Sequence, residues 1–195
     1  PAPQGVFPTA HEAVADLERR HGPRSALWTY HDAGGNPVGV IVRWDTPDGK
    51  VIRPVAHNGT GWVIRGMLTP RPLYHLPELA AAQRVFITEG EKAADAARAL
   101  GLVATTSPHG SKSADKADWS PLAGRECIIF PDHDDPGRRY ADDVVRLLSR
   151  LVPQPKLKVV DLPDLQAHGD AVEYIAGRRE AGRDDAAIRI EIEGL

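Results

Sequence analysis

The chain has 195 residues, of which 42% are hydrophobic and 26% charged, enough for one ordinary globular domain or a small and a medium one. No apolar run approaches the roughly 18 residues of a membrane span, so no membrane partner is expected, and a net charge of −3 leaves any sign of a nucleic-acid partner to local patches. A single cysteine, Cys127, excludes disulfides and a cysteine-based zinc ribbon, and fits a cytoplasmic protein.

Pro1 opens the chain, as in one that has lost its initiator or is part of something longer, and PAPQGVFPTAHEAV has neither the basic nor the apolar segment of a secretory signal. Thr9 and Glu12 have the spacing of a capping box, and Val14 and Leu17 continue at helical intervals. That predicts a helix over 10–21, stopped by Gly22-Pro23. Short alternating runs follow (ALWTY, VGVIVRW, KVIRPVAH and GWVIRG), separated by AGGNP, TPDG and NGT. Tight Gly, Asn and Asp turns between such runs predict an antiparallel meander. Beyond LTPRPLYHLPEL the pattern changes. RVFITEG reads as a buried strand, EKAADAARALG as a helix ending at Gly101, and LVATTS as another strand. After the polar loop PHGSKSADKADWSPLAG come the strand ECIIFP, a helix over 137–151, the strand KLKVVDL and a helix around 170–178. Such alternation predicts a mostly parallel sheet with flanking helices. Two parts result: a small α+β, strand-rich subdomain over 1–80 and an α/β domain over 84–195.

In IIFPDHDDPG an apolar run stops at three carboxylates within four residues, then a Pro-Gly breaker. Like charges this close repel, and desolvating them is costly unless a cation or hydrogen bonds compensate. Open α/β sheets bind ligands beyond the carboxyl ends of their strands. Two strands here end in acids, one at Glu89 and the other at Asp132, His133, Asp134 and Asp135. Asp132 and Asp134 point the same way if the chain stays extended, and Glu89 lies beside them if the two strands are neighbours. Three hard oxygen ligands around one point suit Mg²⁺. The plainer account is structural: Asp-rich turns cap helices, and Asp135 before Pro136-Gly137 is placed as an N-cap. Asp132, Asp134, Gly137 and Asp143 fall on EF-hand positions, but Pro136 and a preceding strand rule that motif out. GSKS at 110–113 lacks the spacing of a P-loop.

VFITEGEKAADAARALGLVATTSPHGSKS followed by IIFPDHDDPGRRYADDVVRLL resembles the Toprim domain shared by primases, topoisomerases and some nucleases. The version in phage- and plasmid-type primase and primase-helicase proteins is the most similar, and the likeness includes the lead-in ending RPLYHLPEL, so that it covers most of 25–178. This resemblance implies a Rossmann-like fold and a Mg²⁺-dependent centre, with Mn²⁺ able to substitute, built from Glu89, Asp132 and Asp134 for making or breaking phosphodiester bonds. It also implies Asp170, in AHGDAVEYI, as a further metal ligand. The chain departs from the pattern at Ala93, where many members carry an acid; Asp95 lies on a different face of that helix.

Phosphoryl chemistry needs charge neutralised on attacking, bridging and leaving oxygens. Lys92 in the first turn after Glu89, Lys112 in the Gly-containing loop 107–116, and Arg138 opening a helix against its dipole are candidate nucleotide or phosphate contacts. Lys92 is equally explained as a solvated helix residue, and for Lys112 a solvent-exposed lysine in a flexible loop is the commoner explanation. His133 reads as a turn residue, Cys127 and Trp119 as packing. In the first part Arg43, Lys50, Arg53, Arg65 and Arg71 occur with Trp44 and Trp62 among them. Basic and aromatic side chains on a sheet can track and stack a nucleic acid, although a half-exposed sheet with core tryptophans gives the same pattern. The expectation is a primase-type nucleotidyltransferase making short RNA primers on single-stranded DNA from nucleoside triphosphates, with a replicative helicase domain or protein as a partner. Its rivals are a small Toprim ribonuclease and a non-catalytic nucleic-acid-binding module. A topoisomerase would need a tyrosine region for which there is no room, and a receiver domain would carry its paired acids on the first strand.

Overall fold

The computed structural model describes residues 5–195, the side chains of Ser111 and Lys112 excepted. Two compact units form, Pro1–Pro72 and Leu73–Leu195. Leu73 and Leu79 are buried in the core of the second unit, so residues 73–80 belong with it although the sequence pattern groups them with the first.

In the first unit, strand β1 (Val6–Phe7) leads into helix α1 (Ala10–His21), then β2 (Ala26–His31), β3 (Pro37–Thr46), β4 (Gly49–His57) and β5 (Trp62–Val63). The Thr9 hydroxyl accepts from the Glu12 amide at 3.2 Å, as its capping box dictates, and Gly22 ends the helix at a φ of 82° that other residues resist. The strands form one antiparallel sheet in the order β1-β5-β4-β3-β2. Ala13, Val14 and Leu17 of α1 cover the face that carries Val40, Val42, Trp44, Val55 and Trp62.

The second unit adds the single turn α2 (Leu76–Leu79), β6 (Arg84–Thr88), α3 (Glu91–Ala99), β7 (Ala104–Thr105), β8 (Glu126–Phe130), α4 (Asp135–Leu148), β9 (Lys156–Val159), α5 (Ala171–Glu180) and α6 (Asp185–Gly194). Two 3-10 turns, Ser111–Lys116 and Ser120–Leu122, fill the connection between β7 and β8. The four strands are all parallel, in the order β7-β6-β8-β9. Alternation sends Val85, Ile87, Cys127 and Ile129 to one face, where Tyr140, Ala141, Val144 and Leu148 of α4 meet them. Phe86 and Phe130 point to the other face, ring centroids 5.5 Å apart, on the side of α3 and α5. Burial on both faces explains why these strands read as unbroken apolar runs. Helix α4 starts two residues before the expected position, and α6 is an element the sequence pattern did not suggest. Among the described residues, no helix is long and apolar enough to cross a membrane.

Candidate active site

Strand β6 pairs with β8 in a register running from Arg84 opposite Glu126 to Thr88 opposite Phe130. Glu89 is the next residue after Thr88, and Asp132 stands two beyond Phe130, so both acids leave the carboxyl ends of adjacent strands. Glu89 Oε2 is shielded from solvent.

The geometry of Asp132 and Asp134 differs from simple alternation. The Asp134 amide donates back to the Asp132 carbonyl at 2.8 Å, closing a tight turn around His133, so the extended conformation ends here. Asp134, and not Asp135, is the N-cap of α4: its Oδ1 accepts from the Gly137 amide at 2.7 Å. Its Oδ2 faces His168 Nδ1 at 3.5 Å. Gly137 lets the first turn of α4 lie directly on the Asp132 backbone. An added Cβ would overlap the Asp132 carbonyl oxygen and sit 2.8 Å from its nitrogen.

His133 laces this turn to the segment before α5. Its amide donates to the Gly169 carbonyl at 2.8 Å, and its carbonyl accepts from the His168 amide at 2.9 Å. Its Nδ1 lies 3.1 Å from the carbonyls of both Leu165 and Gln166; because both are acceptors, Nδ1 carries the proton. Asp170 is thereby held next to the acidic turn, where its Oδ1 caps α5 by accepting from the Glu173 amide at 3.0 Å. On α3, Ala93 is buried, and Asp95 is engaged with Tyr74 and lies 3.5 Å from His75 Nε2, so it does not replace the missing acid at the strand ends. Lys92 and Arg138 are exposed in the first turns of α3 and α4, and the side chain of Lys112 lies outside the described residues.

Three residues with no local sequence signal fix the Glu89 end. The Gly90 amide donates to Thr106 Oγ1 at 3.0 Å, and the Tyr140 hydroxyl lies 3.4 Å from that oxygen and 3.0 Å from Ser107 Oγ.

The basic residues of the first unit do not share one surface. Arg43 pairs across the ladder with Ile52, and Asp45 with Lys50, which puts Arg43 and Lys50 on one face. Arg53 pairs with Val42 on the opposite face, the one covered by α1. Trp44 and Trp62 are buried on that covered face as well, and Trp44 Nε1 donates to the Gly22 carbonyl at 2.8 Å, so neither is a stacking platform. Arg43 forms an ion pair with Asp45 at 2.7 Å, Arg71 Nε donates to the Met67 carbonyl at 3.2 Å, and Arg65 is exposed.

Among the described residues, no three His, Cys, Asp or Glu side chains are gathered as a metal cage. A cage is not what Mg²⁺ requires: it is commonly held by one or two carboxylates and keeps water and substrate oxygens at its other positions. Glu89 and Asp132 bring hard oxygen donors to adjacent strand ends, and carboxylates are the ligand type that this loosely held, hydrated mode uses.

A parallel four-strand sheet with flanking helices and a separate antiparallel, strand-rich unit match the fold of solved primase structures. No family model and no curated protein matches the sequence. Among solved structures, the chain is similar to the primase fragment of the bacteriophage T7 primase-helicase protein, with a TM-score of 0.54 and 17% identity over 80% of this chain and 59% of that one. A chain from the T7 lagging-strand DNA polymerase complex, with primase domains of two gp4 subunits bound to an RNA/DNA hybrid and dTTP, gives 0.54 and 18% over 80% and 74%. The Aquifex aeolicus primase, with zinc-binding and RNA polymerase domains, gives 0.50 and 14% over 92% and 49%. The chain thus spans about three fifths of the T7 fragment and half of the Aquifex protein.

Proposed function

We propose that the chain is the catalytic core of a DNA primase, a nucleotidyltransferase that makes short RNA primers on single-stranded DNA. The observation that carries this reading is the in-register pairing of β6 with β8, which brings Glu89 and Asp132 to one edge of a Toprim-type sheet. In the reaction, the 3′-hydroxyl of one nucleotide forms a bond to the α-phosphorus of the next. The bond to the β-phosphate breaks, pyrophosphate leaves, and the hydroxyl proton passes to a base or to water. Bound Mg²⁺, with Mn²⁺ able to substitute, supplies neutralisation of charge on the phosphate oxygens.

Glu89 and Asp132 would be the carboxylates that hold the ion, with the Asp134 charge and Asp170 beside them through the α4 cap and the His133–Gly169 pairing. Lys92 and Arg138, on the first turns of the helices that follow these acids, together with Lys112, are suited to the triphosphate. Arg43, Lys50 and Arg65 are the stronger template candidates. Arg53, on the α1 side, and Arg71, bonded to the backbone, are the weaker ones. The T7 neighbour belongs to a primase-helicase protein, which supports a helicase partner.

Incubating the chain with single-stranded DNA, labelled nucleoside triphosphates and Mg²⁺ or Mn²⁺ tests this. Short RNA products, lost in Asp132→Ala, are expected. Cleavage of structured RNA without extension would overturn the primase reading in favour of a nuclease. Neither activity, with Mg²⁺ bound no better than by Asp132→Ala, would leave a nucleic-acid-binding module.

A further inference from the structure

Tyr140 lies in the second turn of α4, within the core between that helix and the sheet. Its hydroxyl is 3.0 Å from Ser107 Oγ and 3.4 Å from Thr106 Oγ1, and it accepts from the Ser107 amide at 3.3 Å. Thr106 Oγ1 in turn accepts from the Gly90 amide, the residue immediately after Glu89. Having accepted from Ser107 N–H, the phenol has one proton to give, to either side-chain oxygen. A single hydroxyl therefore joins three segments: α4, whose N-cap is Asp134; the chain leaving β7; and the turn that carries Glu89. Thr106 and Ser107 are 0% exposed and Tyr140 is 1% exposed. In such a low-dielectric setting a satisfied polar chain is stiff, and removing one member leaves its partners unpaired at a cost. Packing alone does not call for this hydroxyl, because Phe would fill nearly the same volume.

We propose that Tyr140 is a positioning residue, whose hydroxyl fixes the Glu89 turn relative to the Asp134 end of α4 by clamping both to Thr106–Ser107. The consequence for metal binding rests on the primase reading of those acids; the clamp itself does not. Burial raises the phenol pKa, and the Glu89 carboxylate adds to the rise, so that carboxylate is within electrostatic reach of the clamp.

The test is hydrogen exchange on the metal-free chain, followed by Mg²⁺ titration calorimetry. Tyr140→Phe is expected to speed exchange at the Gly90 and Ser107 amides about tenfold and to weaken Mg²⁺ binding roughly 2- to 10-fold. Val144→Ala, one turn further along α4 in the same core but without a polar group, provides the control: it lowers thermal stability and leaves both readouts alone. Thr106→Val reproduces the Tyr140→Phe effect, and the double variant is no worse than either single one. Unchanged exchange at Gly90, or an equal rise in Val144→Ala, makes Tyr140 a core residue only and overturns the proposal. If the unmodified chain binds no Mg²⁺, the primase reading falls, while the exchange comparison still decides the clamp.

Discussion

Asp134 combines two roles that a pair of substitutions separates. Its Oδ1 caps α4 through the Gly137 amide at 2.7 Å, and its negative charge sits at the positive end of a 14-residue helix. Asp134→Ala removes both cap and charge, at about 1 kcal/mol for the cap and about 0.3–1 kcal/mol for the charge. In a chain of this size each kcal/mol moves the melting temperature by about 2–4 °C, so a fall of roughly 3–8 °C is expected. Asp134→Asn keeps the cap, because Asn is as good an N-cap as Asp, and forfeits only the charge, with a fall of no more than about 4 °C. On the primase reading, Mg²⁺ affinity and primer synthesis are expected to respond to the charge alone, so both variants should lose them together. The assay is thermal melting beside metal titration. Full Mg²⁺ affinity in Asp134→Asn would make the residue a cap and nothing more; equal destabilisation by Asn and Ala would refute the capping argument.

Gly137→Ala forces a methyl group against the Asp132 backbone, and neither side is a flexible side chain, so a stability loss of about 1–3 kcal/mol with weakened Mg²⁺ binding is expected by melting and calorimetry. Lys50→Ala should reduce the salt dependence of single-stranded DNA binding by about 0.7 in log–log slope at unchanged melting temperature, whereas Trp44→Ala should cost about 3–5 kcal/mol of stability. An unaltered slope for Lys50→Ala removes it from the template track. Burial pushes the Cys127 thiol from 9.0 up to about 11, which makes it a group whose neutral form the fold favours. Its contribution to stability is complete below about pH 9 and is lost as pH climbs through 11, so Cys127→Ala should flatten the decline in denaturation midpoint over that window. An identical slope in the two proteins counts against it.

What the sequence reveals depends on how local the cause is. Helix α1 is legible to the residue because Thr9 and Glu12 carry its start and Gly22 its end. The strand-end acids are legible because charge abutting a buried run is unusual whatever the surroundings. Helix α6 is not: Ile188, Ile190 and Ile192 alternate as a strand would. The cap at Asp184 and the burial of Ile188 and Ile192, one turn apart, make it helical and leave Ile190 70% exposed. The shared direction of Asp132 and Asp134 presumes an extended chain, which the backbone turn at His133 removes. Arg43 and Trp44 look like partners when read along the chain, yet neighbours in a strand face opposite sides. The Thr106–Tyr140 link spans 34 residues and leaves no periodic trace.

The order β7-β6-β8-β9 places both acid-bearing strands inside the sheet, each laddered on its left and its right. A slip of either one would have to break two sets of parallel hydrogen bonds at once, whereas fraying begins at the two-residue β7 and the lysine-bearing β9. In the loops hung from those outer strands, Thr106–Ser107 and Leu165–Asp170 bond to the acidic turns or lie beside them, so it is the remainder of each loop that can lengthen, shorten or change sequence without dislodging the carboxylates at the centre.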